Sequence, residues 1–357
     1  MSSTGNPKDS MKSTWRQGDR ANWTTYHWVI ELFQAHPIDL DKPIPKHAKD
    51  EKVPYLPQLP QHIWVLFHAS IALVMHQGYL AALSLVGIRS LHPVAIFLHY
   101  FAIFNLVVVR EVHILRRLSH KHGFLDGDEH DRDGVPDVGV AKVVLSIFKT
   151  VGSRLVLATY LTYDRSVSPA DGLLTWGNLV RLPLQIGLYG MAIDLFFYIY
   201  HRAAHEVPFL WKYHRTHHLT KHPNPLLSAY ADHEQEVIEM VIVPLLAHLT
   251  LVMLGVPMGF YQWYICQQYV TYLEVWGHSG LRIYTSAPTP FFPILRMLKA
   301  EITIEDHDLH HRYGWRKSSN YGKHSMFWDR LFGSKRERIE VLDEKIDYVN
   351  TAHMPIF

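Results

Sequence analysis

Long apolar runs separated by strongly polar ones constrain this chain more than anything else in it. The runs 62–88, 92–113, 143–162 and 179–200 each come near the roughly twenty residues with which an α-helix crosses a hydrocarbon core. A further pair, 237–256 and 258–276, flanks the short stretch from Gly255 to Gly259 and reads as a helical hairpin. Hydrophobic residues make up 48% of the 357, so it is the lumpy distribution rather than the average that signals a membrane. The few His, Arg and Asp residues inside the runs are costly in lipid and must face a bundle interior. The expectation is an all-α integral membrane protein with about four transmembrane helices plus a membrane-embedded hairpin. Its segments are a polar N-terminal piece (1–61), transmembrane helices with an acidic loop (62–178), a catalytic domain (179–334) and a C-terminal tail (335–357).

Charge sets the orientation. Residues 1–61 carry Lys8, Lys12, Arg16, Arg20, Lys42, Lys46, Lys49 and Lys52, without the short apolar core of a signal peptide. The loop after the second run holds Arg116, Arg117 and Lys121, whereas 163–178 offers only Arg165. The positive-inside rule therefore puts the N-terminus and the 114–142 loop in the cytosol. The fourth run returns there, and a hairpin that enters and leaves on one side keeps 277–357 there too.

Histidines collect on that same face. His201 and His205 are spaced H-x3-H; His214, His217 and His218 form H-x2-H-H, and His307, His310 and His311 repeat that triplet ninety-three residues later. Positions i, i+3 and i+4 share one face of a helix, so each group is expected to aim its imidazoles at one point. Neutral imidazole is the commonest protein ligand for transition metals. Eight such residues exceed what one tetrahedral zinc uses, and two metals sharing eight to ten ligands is the economical reading. No Glu-x-x-His pair of the carboxylate-bridged bundles stands near them.

Other patterns exclude more than they suggest. The single cysteine, Cys266, rules out an intramolecular disulfide and a cysteine-based metal site. The acidic stretch Asp126–Asp137 resembles a calcium loop through Glu129, Asp131 and Asp133, yet Val140 stands where the bidentate glutamate is needed; it reads as a solvated, turn-rich loop. His233-Glu234 starts a zinc-protease pattern that fails at Val237. No nucleotide-binding glycine loop is present, and nothing points to nucleic acid.

Taken together, HRAAH (201–205), HRTHH (214–218), HEQE (233–236), GHSG (277–280), HDLHH (307–311), NYG (320–322) and WDRLFGS (328–334) resemble the fatty acid hydroxylase/sterol desaturase superfamily, most nearly its C-4 methylsterol oxidase and sterol desaturase branches. The resemblance implies a di-iron enzyme of the endoplasmic reticulum membrane with its histidines facing the cytosol. It would use O2 and electrons from NAD(P)H, delivered through cytochrome b5, to hydroxylate, desaturate or demethylate a sterol or other lipid. Carried over by position, the ligands are His201, His205, His214, His217, His218, His233, His278, His307, His310 and His311. His222, His248, His324 and His353 match no ligand position. The chain departs from the methylsterol oxidases at Glu234, where they usually have proline, and in the 114–142 loop. Its H-x3-H spacing departs from the H-x4-H of fatty acyl 2-hydroxylases.

Asp194, two helical turns before His201 on the same face, is expected to support the metal site rather than pair with Arg181 or Arg202. Glu236, Glu274, Asp306 and Asp308 are weaker candidates. The cations Arg312, Arg316, Lys317, Lys323, Arg330, Lys335, Arg336 and Arg338 are expected to form a docking patch for an acidic electron donor. The alternatives are a tailoring oxygenase of a terpenoid or polyketide and, from another class, a histidine-rich metal transporter.

Overall fold

A computed structural model describes residues 6–357; residues 1–5 of the expected N-terminal segment lie outside the described residues. After a short helix α1 (Thr25–Leu32) come four long helices: α2 (Gln58–Ser84), α3 (Pro93–His122), α4 (Val140–Thr162) and α5 (Trp176–Glu206). The short α6 (Pro208–His214) leads to α7 (His233–Met253), α8 (Phe260–Gly277) and α9 (Ile304–Tyr313). At 1.5 Å per residue, the 27 residues of α2 reach about 40 Å, ample for a bilayer core.

Length and composition make four helices candidates for crossing a membrane, namely α2, α3, α5 and α7. The expected number is met, but not with the expected members. Run 143–162 is helical as part of α4, a helix that carries three cations with partners: Lys142 pairs with Asp232 (2.5 Å), Lys149 with Glu236 (3.1 Å), and Arg154 donates to Thr271 Oγ1 (3.0 Å). The first arm of the expected hairpin takes its place among the candidates. The two arms also diverge, because α7 packs along α5 whereas α8 runs through the centre against α2, α3, α4 and α5. A helix surrounded on all sides must satisfy its polar groups internally. On α8, Gln267 and Trp263 both donate to the Tyr189 hydroxyl (2.8 and 2.9 Å), and Gln268 donates to that of Tyr264 (3.0 Å).

The 114–142 loop is shorter than expected, since α3 continues to His122. Lys121 lies in its last turn, where a cation complements the helix dipole. Gly123 then stops it at φ +71°. The N-terminal segment packs over the connection between α3 and α4. There Trp15 Nε1 and Ser13 Oγ both donate to the Val135 carbonyl (3.1 and 2.6 Å), and Asp137 accepts from the backbone of Thr14 and Trp15. A two-residue parallel pair, Val53–Pro54 with Ile346–Asp347, ties that segment to the C-terminal tail.

Gly123 tests this polar layer. A Cβ there would sit 2.3 Å from the Pro45 carbonyl oxygen, at a positive φ; Gly87 (φ +81°) has open space instead. Gly123→Ala is expected to destabilise the detergent-solubilised protein by roughly 1–3 kcal/mol, measured by thermal unfolding, and Gly87→Ala by about 1 kcal/mol or less. Equal shifts would contradict the close packing of the N-terminal segment on Gly123.

Candidate metal centre

The histidine-bearing segments meet where α5 leaves the apolar bundle. His201 and His205 lie on its last two turns; His214 ends α6, and the backbone stays helical through Arg215 and Thr216 to His217 and His218. His278 caps the C-terminus of α8, and α9 carries His307, His310 and His311. A capping box at Thr303 and Asp306 starts α9, with Asp306 accepting from Thr303 N (2.8 Å) and Oγ1 (3.0 Å).

The structure sorts nine of the ten expected ligands into two groups. His201, His205, His214, His218 and His310 form one, and His217, His278, His307 and His311 the other, the ligand atoms within each lying within 4.8 Å of one another. The triplets therefore do not each aim at one point. In each, the i and i+4 imidazoles join one group and the i+3 imidazole the other, with the assignment reversed between the two. The reason is rotation: i+3 and i+4 are about 100° apart around a helix, so a triplet straddles two neighbouring points.

His233 is brought to neither group. Its side chain is 71% exposed at the start of α7, 3.5 Å from Glu236. Glu234, beside it, is exposed in the first turn, where a carboxylate suits the helix dipole whether or not relatives place a proline there. A third grouping, Asp126 with His130 and His222, has its carboxylate already paired by Lys49 (2.8 Å) and Arg312 (3.1 Å).

Backbone carbonyls hold five of the rings. His201 donates from Nδ1 to Tyr321 O (2.9 Å), His205 to Trp315 O (2.7 Å), His310 to Ser319 O (2.7 Å), His311 to Thr220 O (3.2 Å) and His278 to Glu274 O (2.7 Å). A proton fixed on Nδ1 leaves the Nε2 lone pair free to ligate. The Nε2 atoms converge accordingly, at 3.2 Å for His278 and His217, 3.1 Å for His307 and His278, and 3.0 Å for His310 and His218. Among the described residues, the buried Nε2 atoms of His201, His205, His214 and His311, and the Nδ1 atoms of His214, His217 and His218, have no hydrogen-bond partner, at a cost of about 1–3 kcal/mol each when left so. Burial pushes His217 and His310 down to about 3, and burial with neighbouring imidazoles holds His214, His218, His307 and His311 well below the usual value. Neutral, unpartnered and convergent nitrogens suit metal ions, whose opposite imidazole ligands lie about 4.2 Å apart at a metal–nitrogen distance near 2.1 Å.

The carbonyls come largely from 315–321, a loop pinned from three sides. Asp194, fully buried, accepts from Lys323 N (2.7 Å), His324 N (2.8 Å) and Ser325 Oγ (2.5 Å). It touches no imidazole and neither Arg181 nor Arg202; Arg202 pairs with Glu206 (2.8 Å). Asp329 accepts from Tyr321 N (2.8 Å) and Gly322 N (2.7 Å), and Asn320, at φ +56°, donates to Asp306 O (2.9 Å). The acidic loop is turn-rich and exposed at 128–131, as expected, but its other residues form a further brace. Asp133 accepts from Thr220 Oγ1 (2.7 Å), beside the carbonyl that holds His311, and Arg132 and Arg312 both pair with Asp308 on α9. The expected tail also threads back, Glu305 accepting from the backbone of Ile339, Glu340 and Val341 (2.7–2.9 Å).

An apolar chamber opens beside both groups, walled by Phe197, Leu273, Trp276, Ala287, Ile302 and Ile304. Its polar edge is a chain in which Gln235 donates to Glu239 (2.9 Å) and Lys323 pairs with Glu274.

Asp194→Asn turns an acceptor of three donors into a side chain that presents a donor of its own, at a local cost of roughly 1–3 kcal/mol. Membrane insertion is expected to be normal and turnover to fall roughly 10- to 100-fold, as for residues that orient metal ligands. Turnover per folded molecule, measured alongside metal content, tests this; wild-type turnover with lowered stability would confine Asp194 to a role in the fold.

Comparison with known proteins bears on what this centre is. The family model for fatty acid hydroxylases matches residues 186–334, a span that holds every histidine of both groups. The protein named fatty acid hydroxylase vlmA, from a Lecanicillium species, is 42% identical over 302 residues, covering 83% of this chain and 82% of that one. The very-long-chain aldehyde decarbonylase GL1-8 of Oryza sativa subsp. indica is 30% identical over 205 residues (55% and 68%). Alkylglycerol monooxygenase of Xenopus tropicalis is 27% identical over 177 residues (48% and 36%). No solved structure matches the chain. The paired histidine groups, the membrane helices and these likenesses together show that the chain belongs to the fatty acid hydroxylase family.

Proposed function

We propose that the protein is a membrane-bound di-iron oxygenase that uses O2 and electrons originating from NAD(P)H, passed on by a carrier such as cytochrome b5, to oxidise a long-chain lipid. The observation that carries this reading is the pair of all-imidazole groups sharing one wall of an apolar chamber. Imidazole without thiolate suits iron as well as zinc, and two adjacent groups exceed the needs of hydrolytic zinc. Bound iron would supply the oxidising power, drawn from O2, that breaks an unactivated C–H bond. The chain's own residues supply the rest: the carbonyl-held rings present their Nε2 lone pairs, Phe197, Leu273 and Ile302 exclude water and seat an alkyl chain, and the Gln235–Glu274 edge offers polar contacts.

All three named relatives take their names from acyl, aldehyde or alkyl lipids and none from a sterol, which favours an extended chain over fused rings. Hydroxylation, desaturation and oxidative demethylation differ in where the substrate carbon sits. The distribution of Lys and Arg supports an orientation with the histidines in the cytosol, and the endoplasmic reticulum location rests on the family resemblance alone. A metal transporter is disfavoured because its ligands must exchange with solvent, whereas eight of these nine rings are buried and five are fixed by carbonyls.

Expressed with a cytochrome b5 reductase system, the protein is expected to generate an oxidised lipid detectable by mass spectrometry of extracts. His217→Ala, which removes a ligand of the four-histidine group, should abolish that product, and His233→Ala should retain most of it. Undiminished product from purified His217→Ala protein would overturn the assignment.

A further inference from the structure

The expected docking patch is only partly available. Arg312 is spent on Asp126 and Asp308, Lys323 on Glu274 and Arg338 on Asp306. Two other cations lie over an aromatic side chain that sequence reading passed over, with two exposed cations next to it in the chain.

Trp315 lies just after α9 and is 39% exposed. Lys221 Nζ stands 5.3 Å from its ring centroid and Arg215 Cζ 5.7 Å. Arg316 and Lys317 come next in the chain, exposed, and Lys212 lies on the neighbouring α6. Among the described residues, Lys212, Lys221, Arg316 and Lys317 have no acidic partner, while Arg215 pairs with Asp9 (2.5 Å).

Inward from this surface, contact with the five-histidine group is continuous by two routes. Through the rings, Trp315 packs edge-on against buried Trp211 (centroids 5.0 Å apart), and Trp211 lies 5.2 Å from the ring of His205 and 5.8 Å from that of His218. Through the backbone, the carbonyl of Trp315 itself accepts the Nδ1 proton of His205 (2.7 Å). An exposed indole is thus one hydrogen bond, or one intervening ring, from a ligand.

We infer that Trp315, flanked by Lys221, Arg316 and Lys317 and with Lys212 on the adjoining α6, is the docking and electron-entry point for an acidic one-electron carrier protein, with the five-histidine group receiving the electron. The inference rests on the proposed di-iron reading. In each encounter one electron leaves the carrier's reduced cofactor, which is thereby oxidised, and one arrives at the metal; no bond is made or broken. The uncompensated cations speed and orient the encounter, and the two contact routes keep the transfer path short.

The test is stopped-flow reduction of the iron-loaded, full-length protein in detergent, followed by metal absorption, with reduced cytochrome b5 as donor and dithionite as small reductant. Arg316→Glu with Lys317→Glu is expected to raise the half-saturating donor concentration about tenfold at low salt and to flatten its salt dependence. Trp315→Leu, which keeps the carbonyl, is expected to slow reduction at saturating donor about tenfold or more, with Trp315→Phe near wild type. Dithionite should reduce all variants alike, and metal content should match, which shows that the fold and the centre are intact. Wild-type donor kinetics in both the charge-reversed and the Trp315→Leu proteins would overturn the inference. So would charge reversal that weakens binding only to phosphatidylserine vesicles, since the patch would then be a lipid contact. Failure of dithionite to change the wild-type metal spectrum would instead overturn the di-iron reading.

Discussion

Nine clustered imidazoles, eight of them buried, have to be kept neutral, and the rest of the polar half is arranged to do that. A buried imidazolium without a counter-charge is costly, and burial alone drives these rings to their neutral form. A neutral ring with a proton on either nitrogen is still ambiguous. The carbonyls of Trp315, Ser319, Tyr321, Thr220 and Glu274 remove the ambiguity by binding the Nδ1 proton, so the remaining nitrogen points inward as a ligand. Since a carbonyl can do this only if its peptide is held still, the demand passes outward to whatever fixes the 315–325 loop.

That demand explains an otherwise odd density of buried carboxylates. Asp194, Glu305, Asp306, Asp308 and Asp329 are all fully buried, and each accepts from backbone amides or pairs with arginine. A carboxylate that accepts several backbone N–H groups fixes a loop more firmly than a neutral acceptor, because charge-assisted hydrogen bonds are stronger. The acidic loop, the N-terminal segment and the C-terminal tail belong to the same scheme: Asp133 reaches Thr220, Asp9 reaches Arg215, and Arg338 reaches Asp306. The metal centre is thus built on the ends of α5, α8 and α9 and braced by segments distant in sequence.

Much of this was legible in the residues and some was not, for physical reasons. Helix-spaced histidines disclose themselves because spacing maps directly to a helix face, and the apolar runs fall on long helices for the same reason. Spacing alone could not say that each triplet serves two points, since that depends on where the second triplet lies. His233 lies outside both groups because a motif position does not reveal that its side chain sits in solvent at a helix start. The run 143–162 does form a long helix, α4, but hydropathy could not show that its cations Lys149 and Arg154 each meet a partner in the structure. The carbonyl acceptors were invisible because they carry no side-chain signature. In the acidic loop Asp128, Glu129 and Asp131 are exposed as expected, but the partners of Asp126 (Lys49 and Arg312) and of Asp133 (Thr220) lie too far off in sequence to be foreseen.

The central claim is that two all-imidazole groups hold iron. It is tested most directly by iron K-edge X-ray absorption combined with the metal-to-protein ratio, on full-length protein purified in mild detergent from iron-supplemented cells. The account predicts about two iron ions per chain in a first shell dominated by imidazole nitrogen. A single tightly held zinc per chain, or an iron shell dominated by sulfur or carboxylate oxygen, would contradict it.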